Sequence, residues 1–579
     1  MSPPATPLLI DGLGVRYPGR REHSLEAIDL PVGRGERIGV AGRTGAGKST
    51  LTLAAAGFIP RVVRAKLDGR VVIEGIDTAT AAPGSLLGEV GIVFATPANQ
   101  LSASKQTVRE ELAFGLENLG VPRDEMDGRI DATLARLAIG HLADREPFAL
   151  SGGEQQRVAI ASIVAMGTGV LVLDEPTAQL DPAGTASVAD LLDELARTGT
   201  TILCAEHDPT VLGMMDQCLV LDAGHAIALD VPGAALARAA SAGGTAPPTM
   251  VRLAQAAGID LAAAFDEGAV AAGLQARRDG QGVSAKTVGA APPARDQAIS
   301  PWTPTEGRPA VRIAIDGLVH RYPSGIEAVR GVSLSIAPGE SVAILGQNGS
   351  GKTTLVKHLN GLLRPAEGRI LLDGQATDSH SIAELAATVG FVFQNPDEQL
   401  FERTVEREVA FGPKNLRVPA AAISERVTNS LNAVGLLAER ATNPYDLDLS
   451  RRKLVAFAGV LAMDPAILVL DEPTTGQDAD GVARVGAVVE AMKRAGRTVV
   501  AITHDMEFAA SHFGRIVVMR DGAVVADGPP EQVFAPAGSE LLASTGLNPP
   551  PATRIAARMG LDVVPLDAAS LLKALSARG

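Results

Sequence analysis

Short runs rich in Val, Ile and Leu recur along the chain, for example at residues 37–40, 170–173 and 201–204, separated by longer stretches with helical spacing. Apolar runs this short and without alternation suit strands buried on both faces, and the intervening helices supply the crossovers of a parallel sheet. The pattern predicts α/β domains. It also repeats. Gly12-Leu13-Gly14-Val15-Arg16-Tyr17-Pro18 returns as Gly317-Leu318-Val319-His320-Arg321-Tyr322-Pro323, and Leu173-Asp174-Glu175-Pro176-Thr177 returns as Leu470-Asp471-Glu472-Pro473-Thr474. Lys48 corresponds to Lys352 and His207 to His504, in the same order. The tails correspond as well: Pro247-Pro248 with Gly258-Ile259-Asp260 resembles Pro549-Pro550 with Gly560-Leu561-Asp562. Residues 263–308, rich in Ala, Gly and Pro and without apolar periodicity, read as a flexible linker. The expected organisation is a first domain over 1–262 and a second over 309–579, each with a C-terminal extension.

Composition narrows the function. With 579 residues, 46% of them apolar, the chain fills more than one core. A formal net charge of −14 without any basic block argues against nucleic acid as a partner. Two cysteines, Cys204 and Cys218, cannot assemble a disulfide framework or a multi-cysteine metal site. The N-terminus lacks the charged start and apolar core of a signal peptide, and no run of about 18 apolar residues is present to span a bilayer. A membrane role would be borrowed from partners.

Candidate chemistry lies where a strand runs into a glycine-rich turn and a helix. Gly42-Arg43-Thr44-Gly45-Ala46-Gly47-Lys48-Ser49, followed by Thr50, and Gly346-Gln347-Asn348-Gly349-Ser350-Gly351-Lys352-Thr353, followed by Thr354, both fit the GxxxxGK[ST] phosphate-binding loop. Backbone N–H groups and the following helix terminus cradle phosphates, Lys48 and Lys352 reach the β- and γ-phosphates, and Ser49 and Thr353 ligate Mg2+. Each copy also has an apolar strand ending in two carboxylates. Asp174 and Asp471 take the Walker-B metal-holding role, and Glu175 and Glu472 stand where a carboxylate polarises the attacking water.

Many phosphate-loop ATPases share those features. Leu150-Ser151-Gly152-Gly153-Glu154-Gln155-Gln156-Arg157, just before the first Walker-B strand, resembles the LSGGQ signature of ATP-binding-cassette (ABC) proteins with Glu at its fifth position. On its own, Ser-Gly-Gly would be a helix cap and a turn. The resemblance covers nearly the whole chain outside the linker. It implies two ABC ATPase domains, each a mostly parallel core sheet with helices, an antiparallel β subdomain and a helical signature subdomain. It further implies that ATP and Mg2+ are sandwiched between the two domains of one chain, with Ser151, Gly152, Gly153 and Glu154 facing the γ-phosphate held by the other domain. Tyr17 and Tyr322 match the aromatic that stacks on adenine, and His207 and His504 the histidine that contacts the γ-phosphate. Residues 393–401, with Thr404-Val405-Glu406 and 409–413, resemble the Q-loop region of energy-coupling-factor transporter ATPases, with a weaker copy at 107–115. There Gln394 would bind Mg2+ and report nucleotide state, and the segment would lead to a groove for a helix of the membrane subunit. The implied setting is peripheral, on the cytoplasmic face of the cell membrane. The implied partners are a transmembrane coupling protein and a small substrate-binding membrane protein, with a vitamin, its precursor or a metal ion as cargo.

The departures from the family pattern do not scatter. Ala95 stands where Gln394 does, and 447–454 replaces the signature, with Asp448 at the position of Ser151. Because each composite site pairs one phosphate loop with the opposite signature, both losses fall on one site, with Lys48, Glu175 and His207. The other, with Lys352, Gln394, Glu472 and His504 against 151–154, keeps every consensus group. Two other readings are a soluble tandem ABC ATPase acting on a macromolecular partner and a scaffold with dead sites. The first would bring charged linkers, coiled coils or metal cysteines, and the intact Glu472 and His504 argue against the second.

Overall fold

A computed structural model describes residues 6–20, 22–178, 180–242, 247–280 and 312–576, in two units, Met1–Asp266 and Glu267–Gly579. In the first unit, strands Leu25–Val32, Leu8–Arg16, Lys66–Ile73 and Ile76–Asp77 form an antiparallel sheet in that order. The core sheet runs His225–Asp230, Gln217–Asp222, Arg37–Gly42, Thr201–Ala205, Val170–Asp174, Val90–Val93. It is parallel except for the hairpin of its first two strands. Val170–Asp174 and Thr201–Ala205 are buried at every position, as a sheet covered on both faces demands.

The second unit repeats the plan. Its antiparallel sheet is Glu327–Ile336, Ile313–Arg321, Glu367–Leu372, Gln375–Ala376, and its core sheet Val389–Val392, Ile467–Asp471, Thr498–Ile502, Ser341–Leu345, Arg515–Arg520, Ala523–Gly528. Alternate residues of one strand feed two cores: Leu468 and Leu470 pack with Leu454 and Val455 of the helical subdomain, while Ile467 and Val469 pack with Leu355 and Ile315. That subdomain is three helices, Val405–Asn415, Ala420–Ala433 and Leu449–Ala462, matched in the first unit by Val108–Asn118, Arg123–Arg136 and Gly152–Met166.

Register explains why chemistry gathers at one edge. Val40 lies opposite Ala205, and Ala205 opposite Asp174, so three strands end together. The phosphate loop, the Asp-Glu pair and the histidine segment all leave the sheet at its carboxyl edge, the position used by ligand sites in open α/β sheets. The paired prolines of the tails stand immediately before helices, Thr249–Ala257 in one unit and Pro551–Arg558 in the other. Within the stretch expected to link the domains, Glu267–Gly280 forms a helix, and residues 281–308 lie outside the described residues. Val270, Ala271 and Leu274 give that helix a buried stripe, which its Ala- and Gly-rich composition conceals. It packs on Pro551–Arg558, where Arg554 and Arg558 both pair with Glu267, at 2.7 and 2.9 Å.

Candidate functional site

Both phosphate loops depend on glycine where no other residue fits. Gly47 has φ +106 and Gly351 φ +95, and a Cβ would stand 2.6 Å from the Ser24 carbonyl oxygen in one copy and 2.2 Å from that of Ala328 in the other. The loops open directly into helices Lys48–Ala55 and Lys352–Lys357. Lys48 Nζ donates back to the carbonyls of Gly42 and Arg43 at 3.0 and 3.2 Å, and Lys352 Nζ to those of Gly346 and Gln347 at 2.7 and 2.8 Å. The ammonium groups thus wait inside the cradle, held by bonds that phosphate oxygens can replace.

The carboxylate pairs sit beside the loops. Asp174 is buried, with Oδ1 lacking a hydrogen-bond partner, and Thr353 Oγ1 donates to Asp471 Oδ1 at 3.2 Å. Burial, reinforced by the adjacent glutamate, pushes the carboxyls of Asp174 and Asp471 up to about 6. The orphaned carboxylate oxygen of Asp174 beside Ser49, and the Asp471 carboxylate with the Thr353 hydroxyl, are oxygen donor sets that suit Mg2+. Glu175 and Glu472 both take φ +51, a left-handed conformation costly for a residue with a side chain and frequent at functional sites. The Glu175 and Glu472 N–H groups donate to the carbonyls of Ala205 and Ile502 at 2.8 and 2.9 Å, which fixes the turn.

The histidines stand against those glutamates, His207 Nε2 3.2 Å from Glu175 Oε1 and His504 Nδ1 2.8 Å from Glu472 Oε2. Burial alone would raise the pKa of Glu472, but His504, with Lys352 and Lys453 behind it, holds it well below the usual carboxylate range. Burial would likewise discharge His504, and Glu472 overrides it and raises its pKa. The following aspartates are helix caps: Asp208 accepts from the Thr210 N–H and Asp505 from the Phe508 N–H. Tyr17 and Tyr322 each share a hydrogen bond with the second hydroxyl of the adjoining helix, Thr50 at 3.2 Å and Thr354 at 3.0 Å.

At the first signature, Ser151 caps helix Gly152–Met166 in a box closed by Glu154, whose Oε2 accepts from the Ser151 N–H and hydroxyl at 2.8 and 2.7 Å. Asp448 caps the corresponding helix, Leu449–Ala462, and accepts from the Arg451 N–H at 2.9 Å. Gln394 is exposed on its loop and Ala95 half-buried on the other. Two further glutamines shape these loops: Gln100 accepts from the Phe94 N–H and Gln399 from the Phe393 N–H, at 3.1 and 3.4 Å. Glu206, which occupies the position of Thr503, was also not singled out in the sequence. It is buried behind Thr177, and burial, with Asp208 and Glu175 adding to it, pushes its carboxyl up to about 8.

A family model described as ABC transporter matches residues 25–178 and 329–475. A protein of Methanosarcina acetivorans whose name describes it as an ABC transporter ATP-binding protein is 38% identical over 577 residues, spanning 97% of this chain and 92% of its own. A relative similarly named, from Caldanaerobacter subterraneus subsp. tengcongensis, is 32% identical over 573 residues, with 96% of each chain covered. Among solved structures, cbiO1 from Clostridium perfringens, described as part of the ABC transporter complex cbiONQ, is 37% identical with a TM-score of 0.36. That similarity covers 40% of this chain and 94% of the other.

Proposed function

Because this chain belongs to the ABC transporter family, as a tandem ATPase that takes ATP with Mg2+, we propose that it is the energy-coupling subunit of a membrane uptake system of the energy-coupling-factor type. Its cargo is a vitamin, a vitamin precursor or a metal ion. The observation supporting the membrane partnership is an exposed aromatic pair beyond the glutamine loop of the second unit. Phe401 and Phe411 meet edge to face at 4.6 Å, yet are 56% and 40% exposed. Apolar rings presented to solvent in this way suit the side of a partner helix. In the first unit Phe114, at the position of Phe411, is also 40% exposed, with the Lys105 ammonium over its ring.

In this reading the chain is peripheral on the cytoplasmic face and its two domains close on ATP. Lys352 and the N–H groups of 346–353 bind the phosphates, and Asp471 with Thr353 would hold Mg2+, whose charge offsets that of the phosphates. Glu472 orients the attacking water and draws on its proton, while His504 keeps the carboxylate ionised and aligned. The site completed by 151–154 carries turnover, and the one completed by 447–454 is slow. Replacing Phe401 and Phe411 with Glu should abolish co-purification of an integral membrane protein while leaving fluorescent ATP-analogue affinity unchanged. Undiminished co-purification would remove the support for this docking site.

A further inference from the structure

The altered signature of the second unit is tied into its own catalytic strand. At the spacing that holds from the signature (Ser151 to Asp448) to the histidines (His207 to His504), Ser450 replaces Gly153, Lys453 replaces Gln156 and Gln477 replaces Leu180. Two of these changes meet, and the third reaches the same strand end. Ser450 Oγ donates to Gln477 Oε1 at 2.9 Å, and Gln477 Nε2 donates to the Ser450 carbonyl at 3.1 Å. Three residues further along the helix, Lys453 sends its ammonium beneath the Walker-B turn, donating to the carbonyl of Glu472 itself and to that of Thr475 at 3.2 Å. Its neighbour Arg452 pairs with Asp397 at 2.7 Å. In the first unit Gln156 turns elsewhere, donating to the Phe94 carbonyl at 3.4 Å.

Burying an ammonium is expensive unless charge and hydrogen bonds offset the lost water. Lys453 is only 4% exposed, and what offsets its burial is the hydrolytic turn: two carbonyls, with the carboxylates of Glu472 and Asp471 close enough to act on its charge. The attachment point matters, because Glu472 holds a left-handed backbone conformation in which a freed peptide could relax and swing the carboxylate away. A mere loss of function at 447–454 would not explain a Gly-to-Ser change matched by a Leu-to-Gln change, beside a lysine that donates to two carbonyls of the Walker-B turn.

We propose that Lys453 is a positioning residue for Glu472, so that the altered signature of the second unit braces the hydrolytic carboxylate of that same unit. The proposal rests on the reading of Glu472 as the residue that activates water. In the full-length chain carrying Glu175→Gln, so that turnover reports on Glu472, Lys453→Met and Lys453→Gln should lower kcat about tenfold, leaving the KM for ATP within about twofold. Lys453→Arg should recover part of the loss. The double change Ser450→Gly with Gln477→Leu, which restores the residues of the first copy but leaves Lys453 in place, should cost less than about threefold. Fluorescent ATP-analogue binding checks that each variant is folded. Unchanged kcat in both neutral variants, or an equal loss in the Ser450/Gln477 variant, would overturn the proposal. Glu472→Gln measured alongside separates the two claims: if it abolishes turnover while Lys453→Met does not, only the brace fails. If Glu472→Gln retains turnover, the reading beneath the brace fails and takes the brace with it.

Discussion

Glu472 and Glu175 share a backbone conformation and a histidine partner, yet their surroundings differ. Glu472 is the more deeply buried and sits between His504, Lys352 and Lys453. Glu472→Gln should therefore keep ATP binding while lowering hydrolysis by several orders of magnitude, and Glu175→Gln should lower it much less; steady-state ATPase rates with the proposed membrane partner present decide this. Tyr322→Ala should weaken binding of a fluorescent ATP analogue by about 1–3 kcal/mol if the ring stacks on the base as aromatic platforms do. Tyr322→Phe, which loses only the bond to Thr354, should cost far less. The Walker-B aspartates carry a pH signature. Their carboxyls lie at about 6, against about 3.9 in an unfolded chain. Raised values mean that the protonated forms stabilise the fold below about pH 4 and that this contribution is lost as the pH rises through 6. At pH 7 the ionised pair then costs up to about 3 kcal/mol each. Asp174→Asn and Asp471→Asn should raise the melting temperature of the nucleotide-free chain at pH 7, and abolish the further rise produced by ATP with Mg2+.

Among the elements, helix ends and strand ends were the most legible in sequence. The glycine loops and the Asp-Glu pairs each appear at the end of the strand that they were expected to follow, because turn and backbone geometry are local properties. Long-range pairings were not legible. Asp464 and Arg497, 33 positions apart, form an ion pair of 3.1 Å that is almost wholly buried. Nothing near either residue announces it, and only the alignment with Gly167 and Thr200 marks the position as changed. Asp464→Ala leaves the guanidinium in the core short of its counter-charge and should destabilise the second unit by about 3–5 kcal/mol. The double change Asp464→Gly with Arg497→Thr should restore much of that, as read by thermal unfolding. Lys453 was hidden in the same way: it stood in plain view within an aberrant signature, but its target is set by how the helix lies on the sheet.

At the scale of the whole molecule, no helix among the described residues is long and apolar enough to cross a membrane. The proposed partnership therefore predicts that the chain leaves the membrane fraction when the coupling protein is deleted, and persistent sedimentation with membranes would contradict it. The two-domain plan could be read from the repeat, since its motifs recur in the same order, but the connection between copies could not. Helix Glu267–Gly280 clasps helix Pro551–Arg558 through one glutamate and two arginines, and the strand Ile313–Arg321 lies in the same unit. Both ends of the Ala/Gly/Pro-rich stretch are consequently moored to the same unit. The second unit thus begins at Glu267, and the covalent bridge between units is the short passage before it. If the chain were broken anywhere between Gly280 and Ile313, helix Glu267–Gly280 would become a non-covalent part of the C-terminal unit. The buried stripe of Val270, Ala271 and Leu274, together with the Glu267 ion pairs, then decides whether that helix stays on its unit.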